Sequence, residues 1–161
     1  MIPVDKIQAL PLAQRTTITD AHLDAMNHMN VRWYMAIFDD ATWSFFHTLG
    51  MTLDYYRQNE AGGFALQHDI RYLAEIRVGE TVAVHMRVLG RSAKRIHTMY
   101  FMVNETTGKL AATLESLGSH ADLRRRRTSP YPPEIAARID AMLAAHCALD
   151  WDAPVSGVIV P

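Results

Sequence analysis

One cysteine in 161 residues, Cys147, excludes an internal disulfide and suits a reducing compartment. Neither charge is in excess: 16 Lys and Arg stand against 17 Asp and Glu, a formal net of −1 with a pI near 6.7. A protein built to hold nucleic acid usually carries a strong basic surplus, so this balance argues against that class. No apolar run approaches the roughly 20 residues needed to span a bilayer. The opening MIPVDKIQALPLAQR has no continuous apolar stretch of the secretory type. The expectation is a cytoplasmic protein of one ordinary domain, with no membrane and no nucleic-acid partner.

What the sequence does have is two clean periodicities. Residues 1–14 read as an extended arm, with Pro3 and Pro11 opposing regular pairing, and 15–19 (RTTIT) as a short first strand. A helix is predicted over 31–49, where Tyr34, Phe38, Ala41/Thr42, Phe45 and Leu49 form one apolar stripe and Gly50 supplies the stop. Trp33, Ile37 and Ser44 add bulk on a second face, which predicts a helix enclosed over most of its circumference. A connector over 52–60 and a Gly62–Gly63 hinge then switch the period to two. FALQHDIRYL, TVAVHMRVL, RIHTMYFMV and KLAATLESLGSHA predict four long strands with short turns such as 104–108, an arrangement that suits an antiparallel meander. After Pro130, Pro132 and Pro133, EIAARIDAMLAAHC predicts a surface helix, followed by an irregular tail. The domain boundaries follow as 1–14, 15–128 and 129–161. The fold class is α+β, a twisted antiparallel sheet around one apolar helix, with a C-terminal helix added.

The stretch LDAMNHMN at the entrance to that helix packs Asp24, Asn27, His28 and Asn30 into seven positions. Helix capping needs only one of them. Asp24 fits an Asx-turn or a carboxylate at work, and His28 fits a loop-fixing histidine or one that orients a carboxylate. Asn30 reads as the N-cap, and the backbone N–H groups of Asn30, Val31 and Arg32 are open to an anion. The spacing H-x-D-x-x-x-H at His22, Asp24 and His28 matches no strong zinc pattern. Asp40 shares a face with Trp33 and Ile37, where a carboxylate needs partners, a pocket or an interface; Asp39 is a solvated or subunit-facing residue. Arg91, Lys94 and Arg95 gather in one inter-strand turn, and a second basic run occupies 124–127. Both fit either solvated surface or phosphate contacts.

A strand, the segment D-x-x-x-H-M-N, a helix and four strands together resemble the hotdog-fold acyl-CoA thioesterases of the 4-hydroxybenzoyl-CoA thioesterase family. The family segment D-x-x-G-H-V/M-N corresponds to Asp24, Asn27, His28, Met29 and Asn30, with Asn27 in place of the usual glycine. The likeness covers roughly 15–122. DATWSFFHTLG, HDIRYLAEIRVGE and LGRSAKRIH further resemble the subgroup associated with carnitine breakdown, whose suggested substrate is betainyl-CoA.

The resemblance implies hydrolysis of an acyl-CoA thioester to free CoA and a carboxylic acid. Asp24 serves as nucleophile or general base, with Asp40 in reserve. The oxyanion lies at the helix N-terminus by Asn30 and Val31, and His28 assists. It implies CoA contacts at Arg91, Lys94 and Arg95 and an acyl-group contact at Trp33. No metal and no cofactor beyond the CoA of the substrate is implied, and the assembly is a homodimer or a dimer of dimers. A hydratase or dehydratase on the same fold and a non-catalytic acyl-CoA sensor are the alternatives.

Overall fold

The computed structural model describes residues 2–161. In chain order these form α1 (Val4–Gln8), β1 (Leu12–Thr17), a 3-10 turn (Asp20–His22), α2 (Val31–Thr48), α3 (Leu53–Asn59), β2 (Ala61–Tyr72), β3 (Thr81–Arg91), β4 (Arg95–Asn104), β5 (Lys109–Asp122), β6 (Arg127–Thr128) and α4 (Pro133–Cys147). The arm expected over 1–14 is therefore not extended throughout, because Pro3 starts α1 at its N-cap instead of preventing it. The connector expected over 52–60 is helix α3, whose Thr52 side chain accepts the Tyr55 N–H at 3.2 Å. Its C-cap Glu60 takes the left-handed φ of 47°, so the change of direction falls there, and Gly62 and Gly63 lie inside β2.

Helix α2 follows its apolar period: Tyr34, Ile37, Phe38, Ala41 and Phe45 are buried. Gly50 ends it at φ 88°, with Gly50 N–H donating to the His47 carbonyl and Met51 N–H to that of Phe46. The enclosure expected over most of its circumference is narrower than that, since Val31, Arg32, Asp39, Asp40, Trp43 and His47 are exposed.

The strand order is β1-β3-β4-β5-β2, with β6 pairing β5. β1 runs antiparallel to β3, from Leu12 opposite His85 to Thr17 opposite Thr81. The expected meander holds for β3, β4 and β5 only. β2 lies beside β5 at one end, so the chain crosses the sheet through 73–80. That link carries Ile76, fully buried, and is no hairpin turn. β3, β4 and β5 are buried on both faces, which is why their residues read as near-continuous apolar runs. β2 is exposed over most of its length.

Two compact units share these strands. The first holds the chain up to Phe45 with Ile70–Met86 and Tyr100–Leu114; the second holds Phe46–Asp69, Arg87–Met99 and Glu115–Pro161. In the first, Phe38 and Tyr100 meet at 6.4 Å between ring centroids and Tyr34 meets Tyr72 at 5.1 Å, both edge-on. Burying a side chain such as Phe38 contributes about 1.5–3 kcal/mol. In the second, α4 buries Ile135, Ile139 and His146 at helical spacing.

Candidate active site

The loop between the 3-10 turn and α2, in the first unit, is held by its own polar residues. Leu23 and Met29 form an antiparallel bridge, and Asp24 N–H donates to the His28 carbonyl at 3.0 Å. Between them the chain turns back: Asn27 N–H donates to the Asp24 carbonyl at 3.1 Å, and Asn27 takes φ 62°. This is the position where the resembled family carries glycine. Asparagine is among the few residues that enter the left-handed region readily, so the substitution leaves the turn intact.

Asp24 Oδ1 accepts the Met26 N–H at 2.8 Å, so the Asx-turn is present. Oδ2 is left for other work and lies 3.4 Å from His28 Nδ1, with 19% of the Asp24 side chain and 32% of the His28 side chain exposed. A short hairpin thus presents a carboxylate, one oxygen fixed by backbone, beside an imidazole that solvent can reach.

Two anchors seat this hairpin. Met29 N–H donates to the carbonyl of buried Ile76 at 2.7 Å, and Asn30 N–H to that of His22 at 2.9 Å. Asn30 is the N-cap of α2, its Oδ1 accepting the Arg32 N–H at 3.1 Å while its carbonyl takes Trp33 N–H. Of the three expected donors, Asn30 and Arg32 thus already have acceptors, and Val31 N–H is the first-turn group with no acceptor inside the helix. Val31 is 58% exposed.

His22, which the sequence offers only as a metal ligand, is part of the frame. Its Nδ1 accepts the Thr19 N–H at 2.9 Å, and its ring stands edge-on to Trp33 at 4.7 Å. The signal lay in Thr19-x-x-His22, the spacing of a capping box with imidazole in place of a carboxylate. With Nδ1 committed to Thr19, the H-x-D-x-x-x-H residues do not gather as a ligand set. Among the described residues no group of three His, Cys, Asp or Glu could hold a metal ion. Tyr34 donates its hydroxyl to the Ala74 carbonyl at 3.3 Å, and burial, with Tyr72, Glu75 and Glu80 adding to it, pushes its pKa up to about 12.

Asp40 does not join this group. It is exposed, one position short of buried Ala41, as suits a carboxylate that faces solvent or an interface. Trp33 is half-buried on the first turn, its indole N–H shut from solvent with no acceptor among the described residues. The basic turn belongs to the second unit. Arg91 is committed there, with Nε and Nη2 donating to both oxygens of Asp140, so its expected freedom for phosphate is not found. Lys94 and Arg95 are exposed; the backbone of their turn is fixed by His120 N–H and Ser119 Oγ on the Lys94 carbonyl. In the second basic run Arg124 pairs with Glu60 at 2.6 Å and Arg125 with Asp122 at 3.7 Å.

Residues 18–139 match the family described as the Thioesterase-like superfamily. The chain belongs to that family. Its α+β architecture is the hotdog fold of these proteins. Against a betainyl-CoA thioesterase of Pseudomonas aeruginosa, it is 28% identical over 146 residues, 89% of this chain and 91% of the relative. An L-carnitine dehydrogenase/betainyl-CoA thioesterase of Rhizobium meliloti is 26% identical over 137 residues, which is 84% of this chain but 27% of the relative. The chain therefore spans about a quarter of that two-activity protein. Among solved structures, a Staphylococcus aureus protein in complex with CoA superposes with a TM-score of 0.84 at 24% identity, over 94% of this chain and 96% of the other. The shared fold thus covers more of the chain than the matched segment does. No helix among the described residues is long and apolar enough to cross a membrane.

Proposed function

We propose that this thioesterase-like protein hydrolyses acyl-CoA thioesters at the hairpin ahead of α2, with Asp24 as the working carboxylate. The observation that carries this is the division of labour between its oxygens: Oδ1 is fixed by the Met26 N–H and Oδ2 is left beside His28. Oδ2 either attacks the thioester carbonyl carbon or takes the proton of an attacking water; both routes need an ionised carboxylate. In the first, an acyl-aspartyl anhydride forms as CoA thiolate leaves, and water then releases the acid. In the second, the tetrahedral carbon collapses directly to acid and thiolate. Either way charge builds on the former carbonyl oxygen, and Val31 N–H at the positive end of α2 is its donor.

Lys94 and Arg95, exposed and without an ion-pair partner among the described residues, suit the CoA phosphates as mobile point charges. The acyl group is betainyl and the reaction belongs to carnitine breakdown, a reading supported by the names of both relatives; the single cysteine, Cys147, suits a cytoplasmic setting. The acting form is a homodimer or a dimer of dimers. β2 supports this: it ends the strand order and leaves Leu66 and Tyr72 43% and 49% exposed.

The test is thiol release from a panel of betainyl, short aliphatic, long-chain and aromatic CoA thioesters. The reading predicts rapid release from betainyl-CoA above the rest. Preference for another class refutes the betainyl assignment, and no release from any thioester refutes the hydrolase.

A further inference from the structure

The second unit holds a set of buried polar groups that thioester chemistry does not use, all of them directed at the segment after α4. Arg87 on β3 is 7% exposed; its Nη1 donates to the Trp151 carbonyl at 2.7 Å and its Nη2 to that of His146 at 2.9 Å. The guanidinium also lies over the Trp151 ring at 4.5 Å, while Nε has no acceptor among the described residues. Glu115 on β5, 1% exposed, accepts from His97 on β4 at 2.8 Å and from the Ser156 N–H at 2.5 Å. The tail is further seated by buried Ile159 and by Pro161, 3.4 Å from where a Cβ on Gly90 would stand. Residues 148–161 are thus tied down by buried charges that grip main-chain atoms.

One contact in this set reverses with a proton. Val88 N–H on β3 donates to His146 Nδ1 at 2.9 Å, so the imidazole must present a lone pair there. Protonation turns that acceptor into a donor facing a donor, in a buried place, beside Arg87. Arg87 of β3 stands beside the imidazole, and Asp152 of the tail and the Cys147 thiol of α4 lie near that guanidinium. Under the tail Glu115, with His97 against its carboxylate, is a further titratable group.

We propose that His146 is a proton-operated latch for 148–161: neutral, it holds the end of α4 on β3 and the tail in place, and protonated, it lets both go. Burial, with Arg87 adding to it, holds the imidazole below its ordinary range, so the neutral, latched form is the resting one and release belongs to acid.

The experiment is amide hydrogen exchange on the full chain from pH 7.5 to 4.5, corrected for intrinsic rates, in wild type and His146→Asn. Asparagine keeps an acceptor for Val88 N–H and does not titrate. The expected result is a loss of protection of roughly tenfold or more at Val88 and across 148–161 in acid, with β4 and β5 unchanged. The response should be flat in His146→Asn. If that variant does not fold, the wild-type exchange at Val88 decides alone. Constant protection through the range overturns the latch, as does simultaneous loss in β4 and β5. An acid response that persists in His146→Asn overturns it too, and would assign the effect to Glu115.

Discussion

Asn27→Gly and Asn27→Val should part company sharply, because the turn that carries Asp24 depends on one left-handed residue. At φ 62° an L side chain crowds the following carbonyl, a cost of about 1–2 kcal/mol for most residues and less for asparagine. Glycine escapes that cost but loses more chain entropy on folding, about 0.5–1 kcal/mol, so Asn27→Gly should change stability by under about 1 kcal/mol. Valine bears the full conformational cost with a branched Cβ. If the turn yields to relieve it, the Asn27 N–H to Asp24 carbonyl bond goes instead, at about 0.5–1.5 kcal/mol. By either route Asn27→Val should lose about 1–2 kcal/mol by urea denaturation. Its kcat should fall further than stability requires, since a shift of about 1 Å in a reacting group can cost roughly a hundredfold. Glycine should keep kcat within about twofold. Valine matching glycine in both midpoint and kcat would refute the argument that the left-handed turn positions the carboxylate.

Two further outcomes follow from the second unit. Glu115→Ala strands His97 and the Ser156 N–H in a dry site and should cost about 3–5 kcal/mol by thermal or chemical denaturation, a fall of about 10 °C in Tm. Burial opposes ionisation of Glu115, but the Ser156 and His97 contacts outweigh it and hold the pKa below the ordinary 4.5. Its contribution is therefore present above about pH 4.5 and lost as pH falls through the lower folded value, a trend the variant should lack. At the basic turn, Lys94→Ala and Arg95→Ala should each raise KM for CoA thioesters several-fold, less so at high salt. Arg91→Ala should leave KM alone, because its guanidinium is occupied by Asp140.

Most of the fold was legible because its two main signals are long. The apolar stripe of α2 and the period-two runs of β3, β4 and β5 each extend over several turns or residue pairs, and the elements fall where those patterns place them. Helix α3 was not legible, since seven residues are too few to show a period and its Thr52 cap is a local signal. The seat of β2 beside β5 was not legible either. Alternation fixes which way a side chain faces but not which strand lies next, and only buried Ile76 within 73–80 marks the crossing. The crowding of polar residues from Asp24 to Asn30 could be seen in the sequence, but its reading as a site came from the family resemblance and not from spacing. Spacing could not separate Arg91, paired to a residue 49 positions away, from Lys94 and Arg95, or set Asp40 outside the buried stripe.

The most direct test of the account is thiol release from acyl-CoA by Asp24→Asn beside wild type. The amide oxygen of asparagine can still accept the Met26 N–H, so the turn survives while the attacking or proton-accepting oxygen does not. A fall in kcat of about a hundredfold or more, with an unchanged denaturation midpoint, is the predicted result. Full activity in Asp24→Asn would contradict the central claim, and the carboxylate would have to be sought elsewhere.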